Sequence, residues 1–298
     1  MDECAVVVRR IEDRLPLAAG GWLFRRAWIP ERPQRVLVLV HGFGEHSGRY
    51  EELASWLAAR SVAVHAYDQR GHGRTPGRRG HVDRFERLYD DLCAMLEFVA
   101  REHPGLPIAL LGHSLGGLVV TGCVRERRPP IDRLVVSGPA FRLAPGVSKT
   151  RIALARLLRR LCPRLSLAAG LDAALLSRDP EVVRRYVEDP WVHGRATAAF
   201  AAGAIDAQLR LVEGPAAIPV PMLLLHGEDD GLCSVEGSRA FFARIEHERA
   251  PGGELRTYPG LRHEVLNEPE REQVYRDVLA WLAVEPALRR SPAAGAGA

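Results

Sequence analysis

"LLGHSLGG", residues 110–117, contains a G-x-S-x-G run: Gly112, His113, Ser114, Leu115, Gly116. An apolar stretch, "PIALLG" (107–112), leads into it and a helical pattern, 115–127, leads out. That context predicts a sharp strand-to-helix turn that lifts the serine hydroxyl clear of the backbone. The flanking positions need glycine because a Cβ there would collide with the crossing chain. Serine is a weak nucleophile until a base takes its proton, so an acid and then a histidine should follow in chain order.

Both are present. "LLLHGEDDGLC" (223–233) places Glu228, Asp229 and Asp230 directly after an apolar run, and "LRHEVLNEP" (261–269) offers His263 in the loop after the next one. Between the two aspartates Asp230 is favoured. One more residue past the strand lets its carboxylate turn back over the sheet edge, which leaves Asp229 as the alternative. His263 would accept the Ser114 proton and later return it to a leaving alcohol. Cys233, three residues past Asp230, is read either as a structural thiol or as a neighbour of this site. The histidines show no H-E-x-x-H or comparable ligand spacing, so no metal and no cofactor is expected.

Outward from this run the chain keeps one rhythm. Strand candidates at 21–28, 35–40, 62–67, 107–112, 132–138, 221–227 and 254–258 alternate with helical patterns at 49–60, 83–103, 115–127, 235–246 and 268–284. Continuous apolar strands separated by helices predict an α/β fold, a mostly parallel sheet covered on both faces. The first two strands have no helix between them, which makes that edge antiparallel. From 139 to 215 the pattern is helical only, and a structureless loop of that length does not suit a compact domain. The expected organisation is a core of 1–138 and 216–285, a helical cap inserted at 139–215, and a disordered tail at 286–298.

Composition narrows the function class. The chain has 298 residues, 47% hydrophobic and 26% charged, with a formal net charge of +4. Those values are ordinary for a globular protein. Lys149 is the only lysine, and no basic block carries interleaved aromatics. Nucleic acid is therefore not an expected partner. Five scattered cysteines without C-x-x-C spacing read as free thiols of a reducing compartment. The opening "MDECAVVVRR" has too short an apolar stretch for a secretory signal, and no run approaches a membrane span. A cytoplasmic location is the expectation. Oligomeric state is not legible.

"HGFGEHSGRY" (41–50) leaves a buried strand with four ionisable side chains among three glycines. Together with "YDQRGHGRTPGRRGHVDRF" (67–85), "GHSLGG", "HGEDDGLCSVEGSRAFF" (226–242) and "YPGLRHEVLNEPER" (258–271), it resembles the monoacylglycerol lipase / lysophospholipase branch of the α/β-hydrolases. The likeness spans 36–282 and is loose over the cap. It implies a triad of Ser114, Asp230 and His263, with an oxyanion hole built from the backbone N–H groups of Phe43 and Leu115. It also implies substrate contacts at Glu45, His46, Arg49 and His113. For Glu45 and Arg49 an internal ion pair that pins the loop is the competing reading. The implied activity is hydrolysis of single-chain acylglycerol esters through an acyl-enzyme. Lysophospholipase or general carboxylesterase activity is the alternative, kept open by the arginines of 71–82. A hydrolase fold that only binds its ligand is the reading from another class.

In "TRIALARLLRRLCPRL" (150–165) the apolar Leu154, Leu157, Leu158, Leu161 and Leu165 recur with helical spacing, and Arg151, Arg156, Arg159, Arg160 and Arg164 fall largely elsewhere. A basic amphipathic helix of this kind suggests peripheral contact with anionic lipid. The plain alternative is a cap helix that packs its leucines on the core.

Overall fold

The computed structural model describes residues 7–143, 148–215, 217–247 and 252–284. The expected tail lies outside the described residues. In chain order the strands are β1 (Val8–Pro16), β2 (Trp22–Pro30), β3 (Arg35–Val40), β4 (Val62–Tyr67), β5 (Ile108–His113), β6 (Arg133–Ser137), β7 (Ser166–Ala168), β8 (Arg195–Thr197), β9 (Met222–Gly227) and β10 (Gly253–Tyr258). The helices are α1 (Glu51–Ala58), α2 (Arg87–Glu102), α3 (Leu115–Arg127), α4 (Lys149–Leu161), α5 (Pro180–Glu188), α6 (Ala198–Glu213), α7 (Val235–His247) and α8 (Arg271–Ala283).

Eight strands form one sheet in the order β1-β2-β4-β3-β5-β6-β9-β10. β1 pairs antiparallel with β2, and β2 antiparallel with β4. All the remaining ladders of this sheet are parallel. Successive side chains of β3 point to opposite faces and meet separate cores. Val36, Val38 and Val40 join Leu92 and Met95 of α2 and Val119 and Val120 of α3. Leu37 and Leu39 join Leu53 and Leu57 of α1 and Val274 and Val278 of α8. Burial on both faces is why these strands read as unbroken apolar runs.

β1 was not anticipated. "VRRIEDRLP" alternates charged and apolar residues irregularly and buries only Leu15. An edge strand with one covered face has no continuous apolar signal to read. Its partners hold it instead: buried Arg25 of β2 donates to Asp13 of β1 at 2.8 and 2.5 Å and to His65 of β4 at 3.0 Å.

β3 sits between β4 and β5, so the chain leaves its carboxyl end toward one neighbour and returns on the other side. Loops from adjacent strands diverge at such a point and open a crevice. The loop after β3 is "HGFGEHSGRY", and the turn after β5 carries Ser114.

The stretch between β6 and β9 holds α4, α5, α6 and a short antiparallel ribbon, β7–β8. The ribbon was not foreseen, since three-residue strands leave no periodicity. No residue of α4 is buried. Three of its four leucines turn outward: Leu154, Leu157 and Leu161 are 53%, 52% and 68% exposed, and Leu158 is half-buried. Arg156 and Arg159 are exposed as well, and pair with Asp206 of α6 at 2.8 and 3.0 Å. No helix among the described residues is long and apolar enough to cross a membrane.

Candidate active site

Ser114 is the hinge between β5 and α3 and sits at φ 54°, ψ −116°, a region non-glycine residues avoid. Such strain persists only where neighbours over-determine it. Here the Ser114 N–H donates to the Ser137 carbonyl of β6 at 2.9 Å, and its own carbonyl accepts from Leu118 and Ala140. A Cβ on Gly116 would stand 2.2 Å from the Val40 carbonyl oxygen, and one on Gly112 would stand 2.4 Å from that of Gly116. The two glycines are required by this crossing of β3, β5 and α3.

The loop after β9 brings Asp230, not Asp229, to the histidine. Asp230 is buried and Asp229 exposed. Nδ1 of His263 donates to Oδ2 of Asp230 at 2.7 Å, and Nε2 of His226 lies 3.1 Å from the same oxygen. Oδ1 accepts the backbone N–H groups of Leu232 and Cys233, both at 2.8 Å. Burial works against the Asp230 carboxylate, but His263, His226 and the Cys233 N–H outweigh it and hold its pKa well below the usual range. For His263 burial likewise opposes charge, and Asp230 outweighs it, so its pKa lies above 6.5.

Cys233 belongs to the same cluster. Its Sγ, a carboxylate oxygen of Asp230 and a ring nitrogen of His263 lie within 4.8 Å of one another. Burial and the nearby Asp230 push the pKa of this thiol far up. A buried, protonated thiol is inert as a nucleophile. Asp230, His263 and Cys233 therefore meet at the sheet edge, beside Gly138, which follows the Ser137 carbonyl that accepts the Ser114 N–H.

The loop after β3 closes the other side of the crevice. The Phe43 N–H makes no hydrogen bond among the described residues. Leu115 is the first residue of α3, where N–H groups lack intrahelical partners. The Phe43 ring packs against His72, His193 and Phe200, with centroids 5.5–5.8 Å away. His41 ties the loop to the segment after β4: its Nε2 accepts from the Gln69 N–H at 2.8 Å, and its carbonyl accepts from the Gln69 amide.

Glu45 and Arg49 do form the internal pair. Oε1 of Glu45 accepts from the Gly42 N–H at 2.5 Å and the Tyr50 hydroxyl at 2.7 Å, and Oε2 from Arg49 at 2.7 Å. Arg49 also grips Glu264 with two hydrogen bonds, at 2.6 and 2.8 Å. Burial opposes the Glu45 charge, yet Arg49, His113 and His41 bring its pKa down to about 2. His46 turns away toward the inserted segment, with Nε2 2.8 Å from Asp189. His113 stays in the site. Its ring centroid is 4.8 Å from that of His263, and its Nδ1 donates to the Ser137 carbonyl at 3.1 Å. Burial, reinforced by His263, lowers its pKa to about 4. The ring is neutral near pH 7, and its Nε2 is an acceptor.

Several contributors escaped the sequence reading. Tyr186 of α5 is buried over the Arg49 guanidinium at 4.8 Å, and burial raises its pKa to about 12. The His193 N–H donates to the Gly44 carbonyl at 2.8 Å, and a Cβ on Gly44 (φ +77°) would stand 2.3 Å from the His193 carbonyl oxygen. The Glu264 N–H donates to Leu176, and buried Glu268 accepts from Ser177, Arg178 and Arg262. The inserted segment is thus sewn to both the Phe43 loop and the His263 loop. No periodicity announces these contacts. Glu264 alone had a signal, its adjacency to His263. The arginines of 71–82 do not converge: Arg74 pairs with Glu12, and Arg79 lies over Trp191 at 5.8 Å.

Known proteins share this fold and the sequence that builds it. The family described as serine aminopeptidase, S33 (Hydrolase_4) matches residues 31–270. A monoacylglycerol lipase of Mycolicibacterium smegmatis is 39% identical over 257 residues, covering 86% of this chain and 90% of that one. The monoglyceride lipase of Homo sapiens is 32% identical over 271 residues, 89% of this chain and 88% of its own. The crystal structure of a Paleococcus ferrophilus monoacylglycerol lipase superposes with a TM-score of 0.78 at 37% identity, covering 87% of this chain and 98% of that one. The chain belongs to this family of α/β-hydrolase-fold serine hydrolases, in its monoacylglycerol lipase branch. It is a serine ester hydrolase.

Proposed function

We propose that the protein hydrolyses monoacylglycerols to a fatty acid and glycerol, with Ser114 as nucleophile, His263 as base and Asp230 as the acid that orients it. The observation that carries this reading is the His263–Asp230 hydrogen bond at 2.7 Å, packed against Gly138 beside the Ser137 carbonyl that holds the strained Ser114 turn. With Nδ1–H committed to Asp230, the His263 lone pair is on Nε2, the nitrogen that takes the Ser114 proton. Ser114 Oγ then adds to the ester carbonyl. The charge that develops on the carbonyl oxygen is met by the N–H groups of Phe43 and Leu115, each such donor worth about 10²–10³ in kcat. As the tetrahedral species collapses, His263 returns the proton to the leaving glycerol oxygen. Water, deprotonated by His263, releases the fatty acid.

The alcohol side is polar. Nε2 of neutral His113 can accept from a glycerol hydroxyl, and the Tyr186 hydroxyl can donate or accept. Glu45, Arg49 and Glu264 serve as the rigid floor beneath them. That floor also argues for esters over peptides. Both carboxylates are already satisfied by Arg49 and local donors, so neither is free to receive a substrate ammonium.

The segment 139–215 acts as a cap, and the exposed leucines of α4 dock it on a lipid surface. The arginines beside them favour anionic head groups. The enzyme works in the cytoplasm at such surfaces.

Labelling with a fluorophosphonate, abolished in Ser114→Ala, tests the nucleophile. A panel of monoacylglycerols, lysophospholipids and short p-nitrophenyl esters tests the substrate. Turnover of lysophospholipids above monoacylglycerols moves the assignment to lysophospholipase, and turnover of short soluble esters alone ends the lipid reading.

A further inference from the structure

Away from the site, α2 and α3 cross with two thiols facing each other. Sγ of Cys93 on α2 and Sγ of Cys123 on α3 are 3.7 Å apart. The helices approach closely because Gly122 has no side chain; a Cβ there would meet the Tyr89 hydroxyl at 2.2 Å. Cys123 is buried and Cys93 half-buried, so one thiol faces solvent and the other stands behind it. A disulfide brings its sulfurs well inside this van der Waals separation. Side-chain rotation with a small helix shift supplies the remaining closure.

We infer that Cys93 and Cys123 form an oxidisable pair, in which a low-molecular-weight disulfide is attacked at Cys93 and the mixed disulfide is resolved by Cys123. The electronic asymmetry fits that order. Hydrogen bonding to Cys123, helped by the Arg127 charge, lowers the Cys93 pKa against burial, whereas the same bond and burial raise that of Cys123. The thiolate is the attacking form, so Cys93 moves first. In the first exchange the Cys93 sulfur displaces one thiolate from the small disulfide. In the second the Cys123 thiol loses its proton, attacks the Cys93 sulfur, and expels the other thiolate. Two protein thiols become one disulfide, and one small disulfide becomes two thiols.

The bond would brace the protein away from the chemistry. It joins positions 30 residues apart in the chain, on α2 and α3. Cys123 also lies more than two turns along α3 from Ser114.

The test uses the full chain with Cys4→Ser and Cys162→Ser, which removes two of the other three thiols. Incubation with glutathione disulfide should cost two thiols and two hydrogens of intact mass without retained glutathione, all restored by dithiothreitol. Tryptic peptides 88–101 and 102–125 should be found joined. Adding Cys123→Ser should leave glutathione trapped on Cys93. The oxidised form should melt higher by about 5 °C, a shift absent in the Cys123→Ser variant. Unmodified Cys93, or glutathione retained on it while Cys123 is present, overturns the pair. A joined peptide without a rise in melting temperature overturns the brace.

Discussion

Asp189, just past α5, accepts a hydrogen bond at 2.8 Å from Nε2 of His46, a member of the same loop that carries the Phe43 N–H. Its other carboxylate oxygen accepts the Trp191 N–H at 2.8 Å, which leads the chain to the His193–Gly44 contact. The inserted segment therefore braces the loop that is proposed to hold the oxyanion, and a small displacement there is costly to catalysis. Asp189→Ala should lower kcat on a soluble ester on the order of 10-fold, below the loss from removing a donor outright. Unchanged kcat would show that the brace is not coupled to the chemistry.

The two adjacent aspartates separate cleanly. Asp230→Ala should reduce kcat on the order of 10⁴-fold, because His263 loses its orienting partner. Asp229→Ala, altering an exposed side chain, should stay within about twofold. Comparable losses in both would refute the assignment.

The pH profile follows from the sign of the His263 shift. As the proposed base the ring acts only when neutral, and its pKa is raised because Asp230 outweighs burial. kcat/KM should rise with pH through a midpoint above the ordinary histidine value and then level off. Asp230→Asn removes the raising charge and leaves burial, so the midpoint of the residual activity should fall. A midpoint that stays in place would mean another group titrates.

The buried cluster under the site predicts stability. Glu264→Gln leaves Arg49 with one charged partner in place of two, and unfolding in urea should show a loss of about 3 kcal/mol. Glu45 adds an acid dependence. Its folded pKa of about 2 lies below the ordinary 4.5, so its contribution is complete above pH 4.5 and lost as pH falls toward 2. In Glu45→Gln the stability should depend less steeply on pH across that window.

The outward leucines of α4 give a binding prediction. Leu157→Ser with Leu161→Ser should weaken attachment to anionic vesicles by about a hundredfold or more, the order expected when two large apolar side chains no longer bury. Turnover of a short soluble ester should be unchanged. Sedimentation with equal attachment of both proteins would remove α4 from the interface.

What the sequence by itself determined is what local pattern and spacing encode. The alternation of apolar runs with helical periods announced the parallel sheet, because strands buried on both faces must be apolar throughout. Gly112-x-Ser114-x-Gly116 announced the turn, because no other residues fit where β3, β5 and α3 cross. Chain order was enough to nominate His263 and the adjacent Asp229 and Asp230, with Asp230 favoured for its extra residue past the strand.

Tertiary structure decided what depends on which partner a side chain finds. β1 is largely charged and became a strand only because β2 receives it, with Arg25 reaching Asp13. Glu45 and Arg49 could have faced substrate or each other. Glu264, far along the chain on the His263 loop, satisfies Arg49 from the second side and fixes the choice. The leucines of α4 have the same period whether they point inward or outward, and the pairing of Arg156 and Arg159 with Asp206 on α6 accompanies an orientation that leaves Leu154, Leu157 and Leu161 to solvent. A one-dimensional pattern records which residues share a face; what that face meets is set by the elements packed against it.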